Sequence, residues 1–289
     1  MKEPSARLAL FSAIEGGSQF WSNEISEHGC LMVYSKLINR QYKAKELSAE
    51  RIAERLESFD ESRALEEIAK SDGFLLMPEY EDWPNRLADL AAPPIALIAT
   101  GVREHLEVLA DSISIVGTRN PTPYGIRVAS EMATACADRE WAVVSGGAYG
   151  IDSAAHKGAL AGEGVTVAVL ASGLLQNYPA GNARLFQEIK ESGLLLSEVM
   201  PNVSAVPHRF LTRNRLIAAL SRGTVVVEAA FRSGSLRTAR DAAEIFRPVM
   251  AIPGAITSPA SEGCHRLINE RCAELVTSIS DILELVTPL

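Results

Sequence analysis

The sequence predicts an α/β protein: an extended Rossmann-like domain whose mostly parallel sheet is flanked by helices, preceded by a small helical module. Two observations predict it. From Ser112 onward, short runs that are apolar at every position alternate with longer stretches patterned as amphipathic helices. Strands without polar–apolar alternation are buried on both faces, as in a parallel sheet covered by helices. The loops between the runs are also rich in glycine, the composition of strand-to-helix turns that open an anion site.

Taken in order, residues 1–72 carry only short helical signals, Ala44–Leu56 and Glu61–Ala69 among them, and read as the helical module. The main domain is expected over residues 73–289. Gly73–Pro78 reads as a strand stopped by proline, and Pro94–Ala99 as a second strand after a proline-rich connector. Strands follow at Ile113–Val116, Ala142–Val144, Val165–Leu170, Leu194–Leu196, Thr224–Val227 and Val249–Ile252. The helices between them are Tyr124–Asp138, Asp152–Ala161, Ala183–Glu191, Arg213–Ser221 and Leu236–Ile245, with a last short helix in Thr277–Leu289.

Composition narrows the function classes. The chain has 289 residues, 47% hydrophobic and 22% charged, and no run approaches the length of a membrane span. No secretory leader is evident, and the expected compartment is cytoplasmic. The four cysteines are widely separated and lack zinc spacing, so neither a metal nor a cofactor is expected. The net charge of −8 argues against a globally basic surface. Yet between Val203 and Arg240 seven arginines face one acid, Glu228, and none of the seven cations is lysine. Guanidinium groups suit bidentate phosphate contacts and stacking.

Four strand-end loops carry chemistry, because ligands of open α/β sheets bind beyond the carboxyl ends of the strands. Gly117-Thr118-Arg119 offers a close backbone approach and a cation. Ser145-Gly146-Gly147-Ala148-Tyr149-Gly150-Ile151-Asp152 can aim amides at an anion, although it is neither a dinucleotide fingerprint nor a Walker loop. Asp152 reads as a helix cap, and a hydrolytic set of Ser145, Asp152 and His156 lacks the required elbow. Around Phe210, the expected helix start places Arg213, Asn214 and Arg215 in a first turn, where the dipole disfavours cations and a functional purpose is indicated. Ser233-Gly234-Ser235 precedes another helix and forms a further oxyanion site.

In this order the pieces resemble the bacterial DNA-processing protein family DprA, also called Smf, in its actinobacterial form. The matching elements include Val116-Gly117-Thr118-Arg119, Ser145–His156, Tyr178-Pro179-x-x-Asn182, Arg213-Asn214-Arg215, Ser233-Gly234-Ser235 and Gly263-Cys264-His265-x-Leu267-Ile268. The resemblance implies a non-catalytic recombination mediator. Such a protein binds single-stranded DNA, forms a homodimer, helps load RecA, counteracts single-strand-binding protein, and serves natural transformation in competent cells. Arg119 and the Gly146–Gly150 amides would then hold phosphates, and Arg213 and Arg215 would line the groove. Cys264, His265, Leu267 and Ile268 would belong to the dimer and RecA contact. Tyr149 and Val165 replace basic residues common in the family, residues 1–72 are expected to take the place of its SAM-like module, and its frequent C-terminal winged helix is not expected. The rival is a nucleotide- or phosphoribosyl-processing enzyme of similar fold, whose P-G-G-x-G-T-x-x-E loop this sequence lacks. A scaffold that binds a free nucleotide is a third reading.

Overall fold

The uniformly apolar runs pair edge to edge into one sheet. The structure is a computed structural model, and it describes residues 1–43 and 48–287. The strands are β1 (Gly73–Leu76), β2 (Leu97–Gly101), β3 (Ser112–Val116), β4 (Ala142–Ser145), β5 (Thr166–Leu170), β6 (Leu194–Ser197), β7 (Gly223–Val226), β8 (Val249–Ala251) and β9 (Glu274–Leu275). They lie in the order β1-β2-β6-β5-β4-β3-β7-β8-β9. β1 pairs antiparallel with β2, and β2 antiparallel with β6; every other pair is parallel. The chain thus builds outward from β3 in one direction through β6, then returns to β3's other side to lay down β7. That reversal makes the gap beyond the ends of β3 and β7 the topological switch point, where sheets of this kind hold ligands.

Helices cover both faces. On one side α9 (Pro207–Leu220) and α10 (Ser235–Glu244) press Leu216, Ile217, Leu236 and Ala239 onto Val144, Val167 and Val226. On the other, α6 (Pro123–Ala137), α7 (Ile151–Ala161) and α12 (Ile279–Val286) cover Ile113, Ile115, Val143 and Val225. Helix α8 (Ala183–Ser192) seats Phe186 and Ile189 against Ala168 and Leu195. Helix α11 (Glu262–Asn269) follows β8.

The N-terminal region is more regular than its sequence suggests. It contains α1 (Glu3–Ala13), α2 (Gln19–His28), α3 (Cys30–Ile38), α4 (Ala49–Glu57) and α5 (Glu61–Lys70). The first four residues of the expected Ala44–Leu56 helix, 44–47, lie outside the described residues, as do 288 and 289 of the expected tail helix. Phe11, Trp21, Leu37 and Ile52 share one core with Met77, Ile98 and Met200, so these helices pack directly onto the antiparallel edge of the sheet. Glu15 and Arg209 tie α9 to the same region through Nε–Oε2 and Nη2–Oε1 bonds of 3.0 and 2.6 Å.

One boundary differs in a way that matters. Helix α9 begins at Pro207, not at Arg213. Proline at the first helical position costs no hydrogen bond and presets φ. Thr212 is therefore mid-helix, where its Oγ1 donates to the His208 carbonyl (3.2 Å) instead of capping. Arg213, Asn214 and Arg215 are interior helical residues, and the expected conflict with the helix dipole does not arise.

Candidate nucleic-acid interface

The strand-end loops converge on a cleft of about 300 Å³ at the switch point, bordered by Gly117, Arg119, Asp152, Arg213, Asn214 and the Ser233–Ser235 turn. The loop after β3 is held from the far side of the reversal. At the end of β7, Glu228 accepts the Thr122 amide (2.9 Å) and hydroxyl (2.6 Å), and its carbonyl accepts the Thr118 amide (2.7 Å). This buried carboxylate fixes the stem from which Arg119 projects.

The glycine-rich loop is shaped for tight approach. Gly147 and Gly150 have φ of +65° and +84°, the region open chiefly to glycine. A Cβ at Gly150 would overlap the Thr118 carbonyl oxygen, so this glycine lets the loops after β3 and β4 touch. Asn182 clamps the loop through Nδ2 to the Gly147 carbonyl (2.9 Å) and the Ser153 hydroxyl (2.8 Å).

The anion inside that loop belongs to the chain itself. Asp152 accepts the amides of Gly146 (3.2 Å) and Ala148 (3.3 Å) through Oδ2. It lies at the second helical position, and these are loop amides, so it organises the loop and does not cap α7 in the expected sense. Burial pushes its pKa up, against the opposing pull of Arg213 and the two amides. The Gly146 and Ala148 N–H groups are therefore spent on a carboxylate and do not cradle a phosphate. Ser145 is buried, with its hydroxyl given to the Ile115 carbonyl (2.6 Å), and it reaches no ligand.

The arginines divide. Arg213 is buried; it donates to the Gly146 carbonyl (2.6 Å) and the Val169 carbonyl, and burial lowers its pKa to about 10. It borders the cleft. Arg215 turns the other way into an ion pair with the buried Glu198, close to Gly16 and Gly17, and does not line the cleft. Asn214 donates to the Gly234 carbonyl (3.3 Å), anchoring the turn before α10.

Arg119 is the exposed cation. Its guanidinium lies over the Phe210 ring at 5.0 Å, and Phe210 in turn meets Tyr178 at 5.3 Å between ring centroids. Tyr149 and Tyr178, each about half exposed, flank this pair along a shallow groove next to the cleft. The Tyr149 hydroxyl accepts the Gly181 amide (3.1 Å), which holds its ring at the rim. Tyr178, Asn182 and Glu228 are the contributors that loop-by-loop reading left without a role. All three stand in motifs that match the family, Glu228 in Val227-Glu228-Ala229, and no local signal marks Glu228 as a brace.

The remaining predicted residues sit elsewhere. His156 belongs to α7 and its side chain is fully buried, its Nδ1 on Thr166 Oγ1 (2.7 Å), so Ser145, Asp152 and His156 form no relay. On α11, Cys264 and Leu267 point into the core, Ile268 packs at its margin, and His265 bonds to Gly254. The first two side chains therefore offer no outer surface.

The class this defines is an open α/β fold with a cleft at its switch point, bordered by arginines and set beside a groove of aromatic rings. The chain belongs to the DNA recombination-mediator protein A family, whose profile matches residues 74–287. It is 46% identical over 233 residues to a putative DNA processing protein DprA of Mycobacterium tuberculosis, covering 77% of this chain and 60% of that one. It is 38% identical to DprA of Streptococcus pneumoniae, covering 80% and 79% of the two chains. The structure of the S. pneumoniae protein superposes with a TM-score of 0.82 at 32% identity, over 98% of this chain and 97% of that chain. A Helicobacter pylori DprA structure described for its single-stranded DNA binding mode gives 0.65 at 29% identity, over 73% and 94%. The fold is thus the Rossmann-like one of that family. Among the described residues no helix is long and apolar enough to cross a membrane.

Proposed function

We propose that this protein is a single-stranded-DNA-binding recombination mediator that acts by holding DNA and not by turning it over. The observation that carries this reading is the stacked Arg119–Phe210 pair between Tyr149 and Tyr178. A cation set on an exposed aromatic ledge takes one phosphate and the faces of neighbouring bases, which only an unpaired strand presents. Duplex bases are stacked inside and cannot reach such a ledge. Tyr149 replaces a charge with a ring, which shifts the balance of binding from phosphate attraction toward stacking.

The nucleotide-processing rival finds no support in the groups present. Asp152, Glu228, Ser145 and His156 are each hydrogen-bonded to structural partners. As a mediator the protein would act in the cytoplasm, pass its strand to RecA, work against single-strand-binding protein and serve DNA uptake or general recombination. A homodimer contact on α11 would use the outward residues beside His265 and Ile268, with Cys264 and Leu267 holding the helix in place. Residues 1–72 would act as a helical module docked on the sheet edge.

Fluorescence anisotropy with oligothymidylate and a matched duplex tests the reading. The expected result is salt-dependent binding that prefers the single strand and weakens about ten-fold in Arg119→Ala. Equal affinity for duplex, or an Arg119→Ala protein that binds like the wild type, would refute it.

A further inference from the structure

The groove at Phe210 is one stretch of a longer line of hollows. It shares Ala171 with a crease of about 20 Å³ beside the start of α9. The crease in turn shares Glu15 and Gly16 with a cavity of about 560 Å³ in the N-terminal helices. That cavity has no lining residue in common with the switch-point cleft. The crease holds about one water and is too small for a base, so a polymer could only lay its backbone across it. Groove and cavity are held in a fixed relation. Arg209, the neighbour of Phe210 on α9, grips Glu15, and the α1–α2 loop lies so close that a Cβ at Gly16 would overlap the Glu198 carboxylate.

The cavity repeats the chemistry of the ledge. Ala13, Ile14, Trp21 and Ile52 give it buried apolar walls, and Phe20 adds a partly exposed ring, set edge-to-face on Trp21 at 4.8 Å between centroids. Its volume lies within the range of ligand pockets, roughly 300–1,000 Å³. Its cations are Arg51 and Arg55, four residues apart on one face of α4. Like charges at that spacing destabilise a helix slightly, a cost that an anion shared between them would remove. Among the described residues Arg51 makes no hydrogen bond or ion pair, and Arg55 uses only Nη1, on the Ala13 carbonyl (2.9 Å). Glu15 is the one described acid that borders the cavity, and both of its carboxylate oxygens are taken by Arg209. The acids of α4 itself, Glu50, Glu54 and Glu57, do not border it.

From this geometry we infer that the N-terminal helices carry a second station for the same single strand. The strand leaves the ledge, crosses the start of α9, and places a base in the cavity and neighbouring phosphates on Arg51 and Arg55. The inference rests on the single-strand reading of the groove and lengthens it. Apolar walls suit the face of a base, and two cations without ion-pair partners suit two successive phosphates. An acidic peptide with an apolar side chain would meet the same groups. Continuity decides for DNA: the hollows join end to end, so a polymer already lying on the ledge is delivered to the cavity. A duplex would have to unstack a base to fill it. The helical module then serves as part of the binding surface, and contact with it depends on strand length.

The test uses the whole chain and oligothymidylates of roughly six and roughly twenty nucleotides, near the lower end and beyond the upper end of single-module site sizes. Affinity is read by anisotropy at moderate salt. Each variant is compared with the wild type at each length, so the extra registers of a longer strand cancel. Arg51→Ala/Arg55→Ala should bind the long strand about ten-fold more weakly, the scale of charge-assisted contacts, and the short one within about two-fold. Its salt slope on the long strand should fall by about one to two. Arg51→Ala alone removes no hydrogen bond or ion pair of the fold, so it serves where the double variant is unstable; it should lose about three-fold on the long strand only. A long strand carrying 5-iodouracil, irradiated with protein in excess, should cross-link to the segment that bears Phe20, and a short one should not. If both variants stay within about two-fold at both lengths while the wild type prefers single strands, the second station is overturned and the groove reading stands. A peptide of four glutamates and a phenylalanine that binds the wild type but not Arg51→Ala, with the long-strand ratio unchanged, gives the cavity to an acidic peptide and also overturns it. Wild-type protein that binds neither length removes the groove reading and the second station together.

Discussion

His156 should make this fold acid-sensitive by a calculable amount. The residue belongs to α7, fully buried, four positions after Asp152. Thr166 Oγ1 has a single proton and donates it to the Val143 carbonyl (3.0 Å), so the 2.7 Å contact with His156 requires Nδ1 to be the N–H donor. Nε2 then carries the lone pair, buried and without a partner. Protonating it would place an N–H where no acceptor exists, and burial, with Arg213 adding a little, lowers the pKa from 6.5 to about 3. The unfolded chain takes up this proton below pH 6.5 while the folded one refuses it. Stability from this residue is therefore complete above pH 6.5 and is lost as pH falls toward 3. At about 1.4 kcal/mol per pH unit the gap of about three and a half units amounts to about 5 kcal/mol, and about 2 kcal/mol is gone by pH 5. Asp152, held up by burial, works in the opposite direction, since its folded form takes a proton more readily than the unfolded one. Urea unfolding followed by circular dichroism from pH 7.5 to 5 would measure the slope. His156→Asn, whose Nδ2 stands where Nδ1 did and keeps a donor for Thr166 but cannot charge, should flatten it by about 2 kcal/mol over that range. Nitrogen-correlated NMR should show the Nδ1–H tautomer persisting to pH 5. An imidazole that titrates between pH 6 and 7, or a variant with an unchanged acid slope, would refute the reasoning.

Three other perturbations separate binding from folding. Phe210→Ala should weaken oligothymidylate binding by about ten-fold, the worth of one stacked base, with little change in melting temperature; anisotropy and thermal unfolding check the pair. Gly150→Ala forces a Cβ into a φ of +84° against the Thr118 carbonyl, costing about 1–3 kcal/mol and moving Arg119, so both melting temperature and affinity should fall. Arg215→Ala should leave affinity within about two-fold yet cost about 3–5 kcal/mol in denaturant unfolding, because it strands the buried Glu198 carboxylate.

The sheet was readable because its strands are buried on both faces and therefore apolar without interruption, as in Ser112–Val116 and Thr166–Leu170. Helix α1 was hidden for a related reason. Ala6 through Phe11 are all buried, so no polar face alternates with the apolar one and the helical period disappears. At the site, glycine spacing revealed which loops approach one another, since φ restrictions are local and leave a mark in sequence. The fate of each arginine is not local. Arg213 and Arg215 are two residues apart on one helix, yet one borders the cleft and the other serves Glu198. Only the packing of α9 between sheet and N-terminal helices decides which is which. The start of α9 is legible in Pro207, a helix-start signal, against which Thr212, an equally good cap by type, competes.

The occupied amide nest changes what the glycine-rich loop is for. Its composition implies a phosphate cradle, but a cradle filled by Asp152 cannot empty without burying unpaired amides beside Arg213. The internal carboxylate makes the loop rigid in the absence of ligand, so its curvature is already set when a strand arrives. That preorganisation passes outward: Gly150 abuts the Thr118 and Arg119 backbone, Glu228 braces the same stem, and Arg119 is presented on Phe210 with little left to order. On the proposed reading the loop's glycines thus act at one remove, by positioning the cation and ring that would meet the ligand. On the proposed reading a loop of this kind tolerates tyrosine at position 149, because its Gly146 and Ala148 amides are held by Asp152 and would not bear the phosphate. The Tyr149 ring, held at the rim by the Gly181 amide, would contribute a stacking face.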